Sequence, residues 1–408
     1  MILLWGISDQ FKGFYPLIIN RTWFSHRCNL MKKLKIIVLP IVLIIISCSE
    51  KNIYNYIILP ENNQDSDKRD EDIKVNVLKW KDDHTAAVSI TYDGGWLTGG
   101  SMPNMQISQD MVLERGLVLD YEIVTATYEP YPTVQAELRE NQLPLGIHFF
   151  GHGHYHDAHD QLDFIECLNS FRKCFRCMYE WGLNPKAYAY PHGSGRTPST
   201  QLACKIAGFI CARGFDPPSE DMYICPDDEM EPQNWYLLPC IPISSVDNPP
   251  EFLISHSEIA EALEITLTKT AWVILTYHSI GFVGNYGYYP FEYFGQDLDT
   301  IVENDFWCSN MDVIACYIKE RSRFKFEMEK LNITDENNEY NVVFRDGLDN
   351  SIYDTPLTVD FTFADSLTVQ EIKFEPALNG LNEYEVINNK LRINVIPDDK
   401  RYKMTIIL

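Results

Sequence analysis

Between residues 84 and 323, short apolar segments alternate with amphipathic ones. Such alternation indicates strands joined by helices, and therefore a mainly parallel sheet or barrel whose polar site lies where the strands end. The predicted strands are 86–93, 117–125, 145–150, 187–190, 208–212, 235–243 and 271–277, and the predicted helices include 108–114, 133–140, 161–181, 199–206, 257–269 and 311–321.

After Arg323 the pattern changes to short strand-like runs separated by turn signals such as Asn379-Gly380. Runs of this length, joined by tight turns, are typical of a small antiparallel β-sandwich. The predicted strands of this second part are 325–331, 340–344, 357–363, 371–375, 391–395 and 402–408.

The N-terminal region has the layout of a secretory signal. Lys32, Lys33 and Lys35 precede an apolar run at 36–46 that ends in Ser47-Cys48. A membrane span needs about twenty apolar residues, so export fits this shorter run better, although an uncleaved signal anchor is the alternative. Ile-Ile-Ser-Cys resembles a bacterial lipobox, which implies that Cys48 is lipidated and that the protein is an exported lipoprotein of the cell envelope.

These features divide the chain into five segments. Residues 1–30 precede the complete signal, so we expect Met31 to be the true start. Residues 49–75 are rich in Asn, Asp, Glu and Lys and are expected to form a flexible tether. The segments are an upstream extension (1–30), a signal peptide (31–48), the tether (49–75), the barrel (76–325) and the β-sandwich (326–408).

The composition limits the partners of the protein. With 34 basic and 58 acidic residues, the chain has a formal net charge of −24. Such a surface repels nucleic acid and anionic lipid, so we expect no nucleic acid partner and membrane contact through the lipid anchor only. Neutral glycans are compatible partners. The eleven cysteines give no readable disulfide framework, and Cys174 and Cys177 lie at helical spacing that favours core packing.

Four histidines, His152, His154, His156 and His159, occur within eight positions directly after the predicted strand 145–150. Imidazole is a frequent ligand of borderline metals and titrates near neutral pH, so this density indicates metal binding or proton chemistry. A solvated histidine-rich loop is the alternative.

Three further strand ends carry polar residues of catalytic type. Asp93 follows an apolar strand and precedes Gly-Gly, His192 stands between Pro191 and Gly193, and His278 follows the strand 271–277. Taken with the histidine cluster, these strand ends from about residue 80 to 325 resemble the motifs of the polysaccharide deacetylases of the NodB-homology type, carbohydrate esterase family four. The resemblance implies a distorted (β/α) barrel that hydrolyses acetyl groups on sugars with a divalent metal, usually zinc.

The resemblance also implies a role for each of these residues. Asp93 would be the general base, His278 the general acid, and His152 with His156 the metal ligands. Tyr190 and His192 would lie at the substrate, with the backbone N–H of His192 helping to hold the oxyanion. General acid–base catalysis and metal activation of water are what hydrolysis of an amide at neutral pH requires.

One departure from the family pattern affects the metal. The family has two adjacent aspartates, whereas Asp93 is followed by Gly94, so one metal-binding carboxylate is missing. Catalytic zinc sites normally have three protein ligands. The missing ligand would come from Glu122, a carboxylate in an otherwise apolar strand, or from His154, Asp157 or His159 in the cluster; a salt bridge is the alternative role of Glu122.

The sequence therefore predicts a metal-dependent deacetylase of an N-acetylated or O-acetylated glycan with a rearranged metal shell. Two alternatives stay open. One is a hydrolase of another C–N bond on the same fold, and the other is a glycan-binding lipoprotein without catalysis.

Overall fold

The computed structural model describes residues 72–93, 102–128, 148–156, 158–215, 222–245 and 253–408. The predicted signal peptide with Cys48, almost all of the predicted tether, the predicted helix 133–140 and Asp157 lie outside the described residues. Within the described part of the chain, no helix is long and apolar enough to cross a membrane.

A parallel sheet forms the first part of the fold. In chain order, the strands up to residue 308 are β1 (Ile73–Val77), β2 (Ala86–Tyr92), β3 (Asp120–Ile123), β4 (His148–Gly151), β5 (Ala187–Ala189), β6 (Cys211–Arg213), β7 (Ile241–Pro242), β8 (Trp272–Tyr277), β9 (Ser279–Ile280), β10 (Tyr288–Tyr289) and β11 (Phe306–Cys308). The helices are α1 (Met102–Leu113), α2 (Thr125–Tyr128), α3 (Phe164–Glu180), α4 (Pro198–Ala207), α5 (His256–Thr268), α6 (Phe291–Glu303) and α7 (Met311–Arg323). The strand order is β6-β5-β4-β3-β2-β8-β7, with β11 beside β2, and all pairs in this sheet are parallel.

The segment before β7 closes the curled sheet. The backbone N–H of Ala212 donates to the carbonyl of Trp235 at 2.8 Å, and that of Leu238 donates to the carbonyl of Ala212 at 2.9 Å. The chain then continues into β7, which pairs with β8 at the other end of the sheet. The predicted distorted (β/α) barrel is therefore confirmed.

Side chains alternate between the two faces of the barrel sheet, as the two-residue period of a strand requires. Ile90 and Tyr92 of β2 belong to an apolar cluster that includes residues of α3, α5 and α6. Ala87 of the same strand belongs to a second cluster with Trp272 and Ile274 of β8. This burial of both faces explains the continuous apolar sequence of β2.

The C-terminal part consists of antiparallel sheets. Its strands are β12 (Lys325–Ile333), β13 (Asn337–Arg345), β14 (Leu357–Phe363), β15 (Glu371–Leu378), β16 (Leu381–Glu385), β17 (Lys390–Val395) and β18 (Asp398–Ile407). One sheet has the order β12-β13-β18-β15-β16 and the other has the order β1-β14-β17. The additional all-β layer that the sequence predicted is thus present, and β14 has the predicted bounds.

Strand β1 joins the C-terminal sheets although it precedes the barrel in the chain. Ile73 lies opposite Phe363, and Val77 lies opposite Val359, in an antiparallel pair. The last residues of the predicted tether are therefore part of a strand. The second apolar cluster continues from the barrel through Ile314 and Ile318 of α7 to Phe344 of β13, and Arg69–Leu408 form one compact unit.

Some predicted elements differ in extent from the observed ones. The predicted strand 235–243 is regular only at Ile241–Pro242. Pro239 and Pro242 lack the N–H that a ladder needs, which explains the irregular pairing before β7. Helix α6 and strand β11 were not predicted. The nine described cysteines are free, and Cys174 and Cys177 are buried on α3, which confirms their predicted role in core packing.

Candidate functional site

The carboxyl ends of the barrel strands gather the polar residues. Asp93 follows β2, His152 follows β4, His192 lies beyond β5, Arg213 ends β6, and His278 follows β8. Since these strands are parallel, their carboxyl ends share one edge of the sheet, where sites in α/β folds form.

Asp93 and Arg213 form a buried ion pair. Nη2 of Arg213 donates a hydrogen bond to Oδ1 of Asp93, and the side chain of Arg213 is 1% exposed. Burial lowers the pKa of Arg213, but the Asp93 carboxylate outweighs this and raises the pKa above its ordinary value. The carboxylate thus stabilises the charged form of Arg213. Sequence reasoning missed Arg213, whose only signal is a cation that ends the apolar run at 208–212.

His152 is buried with a defined hydrogen-bond partner. Its Nδ1 lies 2.9 Å from the carbonyl oxygen of Ala189 and 3.5 Å from Oε2 of Glu122. Burial, followed by the proximity of His154, lowers the pKa of His152 well below 6.5. A neutral ring that donates from Nδ1 keeps its lone pair on Nε2, and this is the form in which histidine accepts a proton or binds an electrophile.

His154 and His192 continue a row of imidazoles from His152. The ring centroids of His152 and His154 are 4.4 Å apart, and those of His154 and His192 are 5.4 Å apart. Both His154 and His192 have left-handed backbone conformations, with φ of 48° and 50°. Such φ values are uncommon outside glycine and are concentrated at functional sites. We call His152, His154 and His192 the imidazole row.

His156 and His159 lie in a different environment. His156 is exposed, and its ring centroid lies 6.4 Å from that of His159. His159 is buried, with Nε2 2.9 Å from Oγ of Ser170 and its ring stacked on Phe171 at 4.6 Å. In the described ring contacts, His154 therefore takes the place beside His152 that the sequence analysis had given to His156. The ligand roles of His156 and His159 stay predictions.

Tyr190 faces away from the strand ends. It is buried with ring contacts to Phe171 and Tyr188, at 5.9 and 5.6 Å, in the cluster that includes α3. Burial raises the pKa of Tyr190 well above 10. The predicted contact of this side chain with substrate is not what the packing provides, because Tyr190 is only 2% exposed and packs beside Tyr188 in that cluster.

The loop that carries His192 is fixed by a carboxylate. Asp160 accepts backbone hydrogen bonds from Gly195, Arg196 and Thr197 at 3.0 to 3.1 Å. Burial raises the pKa of Asp160, but the bonds from Arg196 and Thr197 outweigh this and lower it overall. Asp160 thus holds the segment that follows His192 against the histidine cluster.

His278 is half-buried on the strand next to Asp93. The backbone N–H of Asp93 donates to the carbonyl of Tyr277 at 2.6 Å, which places the two residues at adjoining strand ends. Two aromatic rings pack edge-on against the ring of His278. The centroid distance is 5.4 Å for Phe215 and 5.2 Å for Tyr286. Asp93 and His278 therefore follow adjoining strands, and their roles as base and acid stay predictions.

The family resemblance implies a divalent metal, and the side chains can be tested for it. Within the described residues, no three His, Cys, Asp or Glu side chains converge in a way that could hold a metal ion. Asp93 is engaged by Arg213, and Glu122 lies near Nδ1 of His152, which already faces the Ala189 carbonyl. As arranged, the described residues do not fit a three-ligand zinc site, and no step below uses a metal.

Proteins similar to this chain are found among solved structures. No protein-family model and no curated protein matches the sequence. Among solved structures, the chain is similar to a protein from Mycobacterium smegmatis assigned as a polysaccharide deacetylase (14% identity, TM-score 0.42, covering 60% of this chain and 93% of that chain). It is also similar to a family 4 carbohydrate esterase from Streptomyces lividans in complex with acetate (14% identity, TM-score 0.36, covering 56% of this chain and 93% of that chain). A third similar structure is a 4-alpha-glucanotransferase from Thermococcus litoralis (13% identity, TM-score 0.39, covering 56% of this chain and 39% of that chain).

At these identities and TM-scores, the similarity concerns the fold and carries no argument about activity. The function is therefore argued from the site itself. As the sequence motifs predicted, polysaccharide deacetylases are among the solved proteins with a similar fold.

Proposed function

We propose that the protein is a hydrolase that removes acetyl groups from an N-acetylated or O-acetylated glycan. The observation that carries the proposal is the placement of a carboxylate, Asp93, and an imidazole, His278, at adjoining strand ends. A base and an acid in neighbouring positions are what hydrolysis of an amide or ester needs on the two sides of the acetyl carbon.

In the proposed reaction, Asp93 takes a proton from water as the water oxygen attacks the acetyl carbon. Arg213 donates a hydrogen bond to Asp93 and fixes the orientation of its carboxylate. The carbonyl oxygen becomes an oxyanion, for which the backbone N–H of His192 is the proposed donor, and one such donor contributes about 3 kcal/mol. His278 then gives a proton to the leaving nitrogen or oxygen as its bond to carbon breaks, which releases acetate and the free sugar.

The proposed substrate class follows from charge as well as from chemistry. A chain with a net charge of −24 disfavours polyanionic ligands, so a neutral acetylated polysaccharide or oligosaccharide fits best. We further propose that the protein is exported to the bacterial cell envelope and anchored through a lipid on Cys48. The sequence also predicts dependence on a divalent metal, zinc in particular, but the described side chains do not fit such a site, and the metal content measured below tests that disagreement.

A second candidate function is glycan binding without catalysis. One observation favours it, namely that the described His, Cys, Asp and Glu side chains do not converge on a metal. Gly94 stands where the resembling family has a metal-binding carboxylate, and this difference is consistent with a site that binds glycan but does not catalyse hydrolysis.

The experiment measures acetate release from N-acetylglucosamine oligomers and from acetylated xylan, with and without added zinc or cobalt. We expect Asp93→Asn and His278→Ala each to lower the rate by at least about 100-fold, the usual contribution of general acid–base catalysis. His84→Ala is the matched control, because His84 precedes β2 at the opposite end and pairs with Asp305. If the wild-type protein binds these glycans but releases no acetate, the second candidate is correct.

A further inference from the structure

We infer that the loop 281–287, which follows His278, is a sugar-binding subsite in which Tyr286 packs against the apolar face of a neutral pyranose ring. The inference deepens the proposed function and rests on it for the identity of the sugar. The bound ring would be that of the residue whose acetyl group is removed, because His278 protonates the atom by which that group is attached.

The first argument is the position of the loop. It leaves the barrel immediately after β8 and returns through β10, which pairs in parallel with β9. The ring of Tyr286 meets the ring of His278 edge-on, with centroids 5.2 Å apart and planes at 84°. The ring of Phe215 meets the same imidazole at a centroid distance of 5.4 Å and an angle of 83°, and a Cβ on Gly193 would lie 3.3 Å from the carbonyl oxygen of Phe215. The loop therefore forms one wall beside the proposed general acid.

The second argument is exposure. Tyr286 is 56% exposed and Val283 is 79% exposed, although both belong to a loop that is otherwise tied to the barrel. Exposed apolar side chains that border a polar site are found at binding surfaces. The exposed ring of Tyr286, with an imidazole beside it, is the kind of surface on which a flat, partly apolar ligand packs.

The third argument is rigidity. Gly281, Gly284 and Gly287 all have left-handed φ values, between 66° and 86°. A Cβ on Gly287 would lie 2.4 Å from Cβ of His278, so the loop is seated directly against that residue. Turn hydrogen bonds, from Phe282 to Ser279 and from Tyr288 to Asn285, hold the intervening backbone at 3.4 and 3.2 Å. A surface that is already ordered loses less entropy when a ligand binds.

The chemistry of the loop selects the ligand. Its sequence, Gly-Phe-Val-Gly-Asn-Tyr-Gly, contains no charged residue, so it offers no partner for a uronic acid or phosphate. The C–H groups on one face of a pyranose are attracted to the negative face of an aromatic ring. The exposed Asn285 can exchange hydrogen bonds with sugar hydroxyls. These features together point to a neutral sugar.

The test is equilibrium binding of neutral oligosaccharides, with no chemistry required. Tri-N-acetylchitotriose, xylotetraose and cellotetraose are titrated by calorimetry into the wild-type protein, Tyr286→Ala and Tyr286→Phe. We expect Tyr286→Ala to weaken binding of the preferred sugar roughly tenfold, which is about 1.4 kcal/mol, and Tyr286→Phe, which keeps the ring, to change it less than about twofold. Tyr179→Ala is the matched control, since Tyr179 is a 70% exposed tyrosine on α3.

Each result decides the matter. Unchanged affinity in Tyr286→Ala, or no binding of any of the three sugars to the wild-type protein, overturns the subsite. The fate of the proposed function is separate, because it depends on acetate release by the wild-type protein. Weaker binding by Tyr286→Ala, with no acetate release by the wild-type protein, would support the subsite and contradict the proposed hydrolase. Acetate release by the wild-type protein, with an unchanged KM in Tyr286→Ala, would support the hydrolase and contradict the subsite.

Discussion

The guanidinium of Arg213, at the end of β6, reaches the carboxylate of Asp93, at the end of β2, and forms an ion pair that is almost wholly removed from solvent. The two strands are not neighbours in the sheet order, so the pair spans the carboxyl end of the barrel. It therefore contributes to the shape of the site as well as to the charge of the proposed base.

Replacement of Arg213 by methionine should destabilise the protein strongly. Removing one partner of a buried ion pair leaves the other charge uncompensated, which costs about 3 to 5 kcal/mol in the free energy of unfolding. Denaturant unfolding followed by circular dichroism measures the change. Arg213→Met combined with Asp93→Asn removes both charges and should recover part of the loss. Equal stability of Arg213→Met and the wild-type protein would show that the pair is not formed in solution.

Gly287→Ala should reduce the rate of acetate release because the new methyl group would displace His278. The added Cβ would lie 2.4 Å from Cβ of His278. Gly284→Ala is the matched control, since Gly284 also has a left-handed φ, of 86°, but a Cβ there meets nothing within 4 Å. We expect similar backbone strain in both variants and a tenfold or larger loss of rate, about 1.4 kcal/mol in the barrier, only at Gly287. Equal rates in the two variants would contradict the contact.

His148 begins β4, at the end of the barrel opposite the candidate site, and it should make the stability of the protein depend on pH. Its Nδ1 lies 2.7 Å from Asp120, and its Nε2 lies 3.3 Å from Asp312. Burial lowers the pKa of His148, but the carboxylates of Asp312 and Asp120 outweigh this and raise it well above 6.5. Because the folded-state pKa exceeds the unfolded one, the stabilisation is complete below about pH 6.5 and is lost as the pH rises through the folded-state value.

The variant His148→Gln tests this. The difference in unfolding free energy between the wild-type protein and His148→Gln should be largest at pH 6 and should shrink progressively above neutrality. Measurements at pH 6, 7, 8 and 9 by urea unfolding give the trend. A difference that grows with pH would mean that His148 is neutral in the folded protein.

Zinc should bind weakly to the protein as folded. Two imidazoles without a third ligand hold zinc poorly, and the described side chains offer no convergent set of three. After incubation with zinc and gel filtration, elemental analysis should find well below one zinc per chain, and removal of zinc by a chelator should leave the unfolding midpoint unchanged. One retained zinc per chain that is lost in His152→Ala would instead establish a site at the imidazole row.

The sequence predicted the barrel because its strands carry a local signal. β2 and β8 are continuous apolar runs, and the polar residue that follows each one, Asp93 or His278, necessarily lies at the carboxyl edge of a parallel sheet. His152 was placed by the same reasoning. Periodicity alone was therefore sufficient to locate these three residues.

Other parts of the site have no such signal. The pairing of Arg213 with Asp93 depends on the closure of the sheet, and nothing near Arg213 in the sequence indicates it. The position of His154 depends on a left-handed backbone conformation, and its ring lies beside that of His152. Tyr190 was assigned to the site from its motif, yet its side chain is buried against Phe171 and Tyr188.

Strand β1 also escaped prediction, because its partner β14 is distant in the sequence. The position of β1 determines when its sheet can be completed during synthesis. Val75 leaves the ribosome long before Phe361, so the hydrogen-bonding edge of β1 stays unfilled while the whole barrel is synthesised. Among the described strands, β1 is thus the first to be made, and the sheet β1-β14-β17 is complete only after β17 has emerged.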